Sequence, residues 1–283
     1  MSDRPTPRTP RQNRARVLRT EHVTPHVIRV VLGGDELRSF SLGPYTDSYV
    51  KLVFPLPGVA YPEPFSIAAI RRDMPRDQWP HTRTYTVRAW DPEAGELTID
   101  FVHHGDEGLA GPWAANARPG DVLYFMGPGG GYAPDPAADW HLMAGDESAL
   151  PAIAASLAAL PAPAVARVFV EVADPEEEQK LDAPGGAEIV WLHRGTAPIG
   201  EKLVAAVTGA AFPPGTVQAF VHGEAHFVKE LRRHLRLDRG LSRDQLSISG
   251  YWRRDTDEDG WQAGKAEWNR RVEEEQEGAA DAG

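Results

Sequence analysis

The chain of 283 residues has no cysteine. That absence excludes disulfides, thiolate-ligated haem, cysteine-held iron–sulfur clusters and cysteine nucleophiles together. Electrons moving through this protein would need a bound organic cofactor as carrier. Long apolar runs are missing as well: none approaches the length of a membrane span, and Met1 to Arg19 holds no hydrophobic stretch ending in a cleavage site. The expected location is the cytoplasm, with no membrane partner. Positive charge is in deficit, with 30 Lys and Arg against 41 Asp and Glu and a net charge of -11. Nucleic acid is therefore excluded as the main partner, because phosphate binding is driven by clustered cations. No repeat of solenoid period is found.

What is present suits two compact domains: hydrophobic residues make up 41% and charged residues 25% of a chain long enough for two cores. Charge is unevenly placed. Residues 1–29 carry seven arginines against Asp3 and Glu21, and residues 254–283 carry ten acids against four bases. These ends read as solvated termini in preference to docking arms.

In the first half, short strands alternate with turns: Ala15 to Thr20, Val27 to Leu32, Tyr49 to Phe54, Arg83 to Trp90, Glu96 to His103 and Val122 to Met126. Six such runs predict an antiparallel Greek-key barrel. The proline-rich stretch from Pro55 to Pro80 reads as a surface excursion or a flap, the former preferred. From Trp140 the rhythm becomes strand and helix. Strands are expected at Trp140 to Ala144, Val165 to Val172, Ala187 to His193, Val217 to His222 and Gln245 to Trp252, and helices at Ser148 to Leu160, Ile199 to Val207 and Ala225 to Leu237. Such alternation predicts a parallel sheet with ligands outside the strands' carboxyl ends. Gly127 to Gly131 marks the boundary and reads as a hinge. The expected division is residues 1–130, 131–260 and a charged, partly helical tail 261–283 fastened by Trp261 and Trp268.

The segment Arg83-Thr84-Tyr85-Thr86-Val87-Arg88 carries the most chemistry. On a strand, Arg83, Tyr85 and Val87 share one face and Thr84, Thr86 and Arg88 the other. A tyrosine ring beside a heterocycle, threonine donors for ring heteroatoms and an arginine fork for a pyrophosphate are what a flavin nucleotide needs. An ordinary half-exposed strand has the same composition.

Further segments follow in order: Asp100-Phe101-Val102-His103-His104-Gly105, Gly108-Leu109-Ala110-Gly111-Pro112-Trp113-Ala114, Pro119-Gly120-Asp121, Gly145 to Ala152, Gly223-Glu224-Ala225 and Gly250-Tyr251-Trp252-Arg253. From Val17 to Trp268 this ordered set resembles the siderophore-interacting proteins, ferric-siderophore reductases of the ferredoxin-reductase-like superfamily. The resemblance implies an FAD-binding barrel followed by an NAD(P)H-binding α/β domain. It implies that Arg83 meets the FAD phosphates, that Thr84 belongs to the same flavin strand, and that Tyr85 and Thr86 act at the isoalloxazine, Thr86 near N5. Arg88 falls at the family's second arginine, and His104 and Gly105 at its flavin-lining His-Gly pair; alone, His103 and His104 would read as a surface pair. The turn at Gly108, Ala110, Gly111 and Trp113 corresponds to the family's pyrophosphate loop, with Gly111 where the family has serine, so that one hydroxyl contact is lost while the glycines still admit close amides.

In the second half, Gly127 to Gly131 lacks the Lys and Ser or Thr of a P-loop. Gly145-Asp146-Glu147-Ser148 precedes a helix that Ser148 is expected to cap, its free amides suited to a nicotinamide pyrophosphate; Asp146 and Glu147 oppose a phosphate there, although the family carries a similar acidic stretch. Arg194 at a strand's carboxyl end suits a 2′-phosphate and NADPH, or is a plain loop charge. Gly223, Glu224 and Ala225 resemble the family's nicotinamide turn. His222 and His226 stand at helical spacing without a third ligand, so no metal site is expected. Lys51, Arg253 and Arg254 resemble the basic residues lining the family's substrate pocket, where positive charge must overcome an acidic protein's field to hold an anionic ferric siderophore. The implied reaction passes electrons from NADPH or NADH through FAD to siderophore-bound Fe(III). A different oxidoreductase on the same scaffold, such as a flavin reductase or a partner accepting electrons from ferredoxin, and a non-catalytic siderophore or flavin carrier, are the alternatives. A monomer is expected.

Overall fold

A computed structural model describes residues 11–280, with side chains through Gln276; Met1 to Pro10, part of the basic amino-terminal stretch, lie outside the described residues. Six strands form the first half: β1 (Gln12–Thr24), β2 (Val27–Gly33), β3 (Tyr49–Phe54), β4 (His81–Asp91), β5 (Glu96–Val102) and β6 (Val122–Gly129). They close in the order β1-β2-β5-β4-β3-β6, every described pair antiparallel. Alternation turns Val17, Val30, Leu52, Ile99, Phe101 and Phe125 into a shared interior, and closure leaves few unpaired edges. One edge does stay open. His81 to Thr86 pair with β3, whereas β4 meets β5 only from Val87 onward, with a register shift between Val87 and Ala89.

The proline-rich excursion is fastened to the barrel. It contains α1 (Ile67–Asp73), capped by the Ser66 hydroxyl on the Ala69 amide, and its Ile67, Ile70 and Phe65 pack on Val53 and Met126. Tyr61 ties its ends by accepting the Leu56 amide and donating to the Gln78 carbonyl. A second short helix, α2 (Ala110–Asn116), starts in the stretch expected as a loop and closes the barrel with Trp113, whose ring meets Phe54 and Phe101.

The second half is a five-stranded sheet of β7 (Trp140–Gly145), β8 (Val165–Val172), β9 (Gly186–His193), β10 (Val217–Glu224) and β11 (Leu246–Trp252), in the order β11-β10-β7-β8-β9, parallel throughout. One face packs on α3 (Leu150–Ala159) through Ile153 and Leu157. The other packs on α4 (Glu201–Gly209) and α5 (Ala225–Arg233) through Leu203, Val207, Phe227 and Leu231. α5 passes into a wider π turn at His234–Asp238.

The tail helix α6 (Glu258–Ala280) starts three residues before the expected Trp261 and is long enough to act as a strap. Its buried Trp261 anchors one end, Lys229 of α5 pairs with Glu275 at 2.7 Å, and Gln276 donates to the Lys229 carbonyl at 3.0 Å. At its amino end, the Glu258 carboxylate reaches β4 of the barrel.

The stretch expected to be a hinge is pinned. β6 runs through Gly129, where a side chain would meet the Tyr49 ring at 2.4 Å, and Asp47 accepts the amides of Gly131 and Tyr132 at 2.8 and 2.9 Å. A second tie joins the halves at the β1–β2 turn. The buried Glu177 carboxylate, just after β8, accepts the Thr24 hydroxyl at 2.5 Å and the His26 amide at 3.1 Å, and lies 2.6 Å from His26 Nδ1.

Candidate functional site

The open edge of β4 faces the junction between barrel, sheet and α6. Thr84 donates its amide to Glu258 Oε1 at 2.8 Å, an unpaired strand amide finding a carboxylate in place of β5. Arg83 lies beside the same helix turn, 3.3 Å from Asp259 and 3.8 Å from Glu258. Burial pushes the Glu258 carboxyl above the usual range, and the Thr84 amide and Arg83 oppose the shift. The Tyr85 ring rests on Phe101 at 4.5 Å; burial drives its phenol up, Glu258 adding to the effect and Arg83 opposing it. Thr86 is buried beside the Tyr251 phenol, which burial also drives up.

Arg88 sits at the register shift and turns to the barrel wall. Arg29 makes a two-pronged bond to the buried Asp100 at 2.7 and 2.8 Å, and Arg88 approaches the same carboxylate at 3.7 Å, its Nε buried without a partner. Two guanidiniums on one carboxylate leave net positive charge behind β4. Burial lowers the Arg88 pKa, Asp100 opposing and Arg29 adding.

His104 lies in the loop after β5, its ring 6.1 Å from that of His26. Gly105 and Gly108 take positive φ angles of 62° and 79°, which suit glycine. At Gly111 a side chain would meet the Val102 carbonyl at 3.0 Å, so the serine expected from the family pattern has no room without a shift. An open strand edge, an arginine at its head, orphaned cationic charge behind it and a glycine turn beside it fit a flavin dinucleotide.

Lys51 on β3 stands opposite Thr84 and is exposed. Facing it from α6 is Lys265, mostly withdrawn from solvent. Burial lowers the Lys265 pKa and the Lys51 charge lowers it further, and neither ammonium has a carboxylate partner or hydrogen bond among the described residues. Lys265 went unnoticed in the sequence although it lies at i+4 from Trp261 and three residues before Trp268, on the helix face those tryptophans define. Arg253 stacks over Trp268 at 4.5 Å with its Nε buried and unpartnered. Arg254 is drawn away to Glu224, 3.8 Å from Oε1.

The carboxyl ends of β7, β10 and β11 converge on Asp146. Its carboxylate is fully buried and accepts the Ser148 amide and hydroxyl, the Glu224 amide and the Trp252 indole N–H. Burial pushes its carboxyl up to about 6, Glu147 adding and these donors opposing. Ser148 thus bonds back to Asp146 and does not cap α3, whose first residue is Leu150 and whose N-cap is Ala149. Gly223, with φ of 136°, exists for this junction, since a side chain there would meet Phe227 at 2.5 Å and Asp146 at 2.8 Å. Glu224 is equally buried and caps α5 at the His226 amide, while its other oxygen meets His226 Nδ1 at 2.7 Å. Ala225, the first residue of that helix, is buried too. Asp146 and Glu224 are thus buried side by side at the carboxyl ends of β7 and β10, their oxygens held by protein donors. His222 turns away from His226 to Ser247, 2.9 Å from Nε2, and stacks on Phe220 with Tyr251 on its edge. Burial, with Lys265 adding, lowers its pKa to about 3, so it is neutral. Among the described residues no cluster of potential metal ligands occurs.

Arg194, off the end of β9, is bound on two sides. Glu147 meets its two terminal nitrogens at 2.9 and 3.4 Å, and the fully buried Glu171 lies 3.5 Å away. Burial alone would lower its pKa, and the bonds and charges of Glu147 and Glu171 together outweigh that, leaving the pKa raised.

A closed antiparallel barrel joined to a five-stranded parallel sheet, with β4 at their junction, gives the chain a ferredoxin-reductase-like fold. The chain matches the siderophore-interacting FAD-binding domain over residues 16–132 and the siderophore-interacting protein model over residues 138–255, and it belongs to the siderophore-interacting protein family. The structure of a siderophore utilization protein from T. fusca is similar, with 40% identity, a TM-score of 0.76 and coverage of 87% of this chain and 94% of that one. The ferric vibriobactin reductase ViuB of Vibrio cholerae is 35% identical over 86% of this chain and 90% of its own. The NADPH-dependent ferric-chelate reductase of Escherichia coli is 30% identical over 83% of this chain and 91% of its own.

Proposed function

We propose that this protein is an FAD-dependent ferric-siderophore reductase that takes electrons from NAD(P)H and releases Fe(II) in the cytoplasm. The observation that carries the reading is the pair Lys51 and Lys265, two ammonium groups without a described counterion, set beside the open flavin strand. Like charges held together in a half-buried site call for an anion, and a ferric siderophore supplies one. The names of the relatives from Vibrio cholerae and Escherichia coli support the same substrate class.

Barrel residues would hold FAD, which would supply redox chemistry between a two-electron nicotinamide donor and one-electron reduction of Fe(III); the siderophore's hard oxygen ligands grip Fe(II) far less well than Fe(III). Arg83 and the turn Gly108 to Gly111 hold the pyrophosphate, with His104 and Gly105 along the dinucleotide. Tyr85 and Thr84 position the ring system, and Thr86 orients its N5 edge. Arg88, shared with Asp100 and Arg29, supports that wall from behind. Lys51, Lys265 and Arg253 hold the ferric chelate at electron-transfer distance. Glu147, Ser148, Gly223 and Ala225 form the nicotinamide side, with Asp146 and Glu224 as its buried frame. The functional units are residues 1–130 and 131–260, with the tail from 261 closing the site between them, and the working form is a monomer.

The test is anaerobic spectroscopy on the purified yellow protein. Bleaching by NADH or NADPH and recovery of colour on adding a ferric siderophore is the expected result. A colourless protein without flavin defeats the reading, and bleaching by reduced ferredoxin alone moves the donor from nicotinamide to ferredoxin.

A further inference from the structure

The carboxyl ends of β7, β8 and β9 place Glu147, Glu171 and Arg194 together where the adenosine ribose of a nucleotide lies on a sheet of this kind. Only one of the three is a cation, and it is spent. Glu147 holds the Arg194 fork with both oxygens, and Glu171 approaches it from below while accepting the Gly200 amide at 2.8 Å. The side chains of Arg194 and Glu147 are only 16% and 15% exposed, so the pair is largely sheltered from screening water. Glu171 Oε2 is buried with no partner, an uncompensated acceptor that keeps the local charge negative.

The surroundings do not reverse that sign. Asp174, Glu176, Glu177 and Glu178 follow β8 in close succession, and Glu178 is 2.7 Å from His193 Nε2 at the end of β9. Lys202 gives its ammonium to the His193 carbonyl at 2.6 Å. A 2′-phosphate brought to this edge would meet two carboxylates around an already neutralised arginine. A free 2′-hydroxyl would meet the Glu147 carboxylate, an acceptor that suits it, while the buried Glu171 acts through its charge.

We infer that this chain selects NADH over NADPH, with Glu147 and Glu171 as the discriminating carboxylates and Arg194 as their internal counterion, not a 2′-phosphate anchor. The inference rests on the proposed nicotinamide donor and adds which of the two nucleotides it is. Arg194 is a positioning residue: it holds Glu147 in place.

The test uses the purified flavoprotein, with dissociation constants for NAD⁺ and NADP⁺ from calorimetry and anaerobic bleaching rates with NADH and NADPH. Expected is at least about tenfold tighter binding of NAD⁺, equivalent to one unit of log affinity. Glu147→Gln frees the Arg194 fork and is expected to improve NADP⁺ binding by about tenfold, with less change for NAD⁺. Arg194→Gln removes the counterion and leaves both carboxylates uncompensated, so it is expected to widen the preference for NAD⁺ over NADP⁺ further. Equal or tighter binding of NADP⁺ by the unaltered protein, or no gain of NADP⁺ affinity in Glu147→Gln, overturns the inference alone. If neither nucleotide binds and reduced ferredoxin bleaches the flavin, the nicotinamide reading and this inference fall together.

Discussion

Glu258, at the first turn of the tail helix, accepts the amide hydrogen of Thr84 at 2.8 Å and lies 3.8 Å from the Arg83 guanidinium. The helix thereby sets a carboxylate on the two groups best suited to a flavin phosphate and ring edge. Glu258→Gln keeps an acceptor for Thr84 and deletes the charge. It should raise the FAD affinity of the apoprotein by about three- to tenfold at low salt, an effect that shrinks as salt screens the arginine. Arg83→Ala should strip flavin during purification, since a charge-assisted contact contributes roughly 1.5 to 3 kcal/mol. Flavin fluorescence titration checks both, and weaker FAD binding by Glu258→Gln would count against competition at Arg83.

Lys265 and Lys51 approach the same volume from a helix and a strand that are more than 200 residues apart in sequence. If both bind the anionic chelate, Lys265→Ala and Lys51→Ala should each raise KM for an anionic ferric siderophore by about tenfold, as expected when one charged contact is lost. Flavin content and NAD(P)H oxidation with a small uncharged acceptor should stay near the unaltered values. Equal losses with both acceptors would remove the two lysines from substrate binding.

The strand through Arg83 to Arg88 was legible in the sequence because alternation and side-chain type are local properties. So was the division into barrel and parallel sheet, since hydrophobic period and turn residues recur within a few positions. Partners from distant segments were not legible. Arg194 reads as a free cation at a strand end until Glu147, from the turn after β7, and Glu171, from β8, are seen to enclose it. Ser148 reads as a helix cap until the buried Asp146 claims its hydroxyl at 2.5 Å. α2 was hidden because Gly111 and Pro112 suggest a loop, and its short length is supported by Trp113 packing on the barrel core. Lys265 carried a local signal, its helical spacing from Trp261 and Trp268, but its meaning depends on Lys51 across the junction.

Glu177 ties the two halves through Thr24 and His26 with almost no exposure to solvent. Glu177→Ala leaves the buried Thr24 hydroxyl and the His26 amide without their acceptor, at a cost of about 1 to 3 kcal/mol per orphaned group. The expected result is a lower Tm, with barrel and sheet domains melting in two resolved steps by calorimetry. A single unshifted transition would show that the clasp does not couple the halves.

His222 gives the protein an acid-sensitive core. Burial lowers its pKa to about 3 from an ordinary value of 6.5, so between those limits the unfolded chain binds the extra proton and the folded chain does not. Stability from this group is complete above about pH 6.5 and is lost as the pH falls toward 3. Asp146 acts in the opposite sense. Its carboxyl is pushed up to about 6 from 3.8, so the folded state binds the extra proton across that window and stability declines as the pH rises through it. Replacing the histidine separates the two. His222→Gln should be less stable than the unaltered protein at pH 7, from lost stacking on Phe220, and the gap should narrow by on the order of 2 kcal/mol by pH 4.5. Urea unfolding of both proteins across that pH range measures the gap directly, and a difference that stays constant with pH would place the acid sensitivity elsewhere.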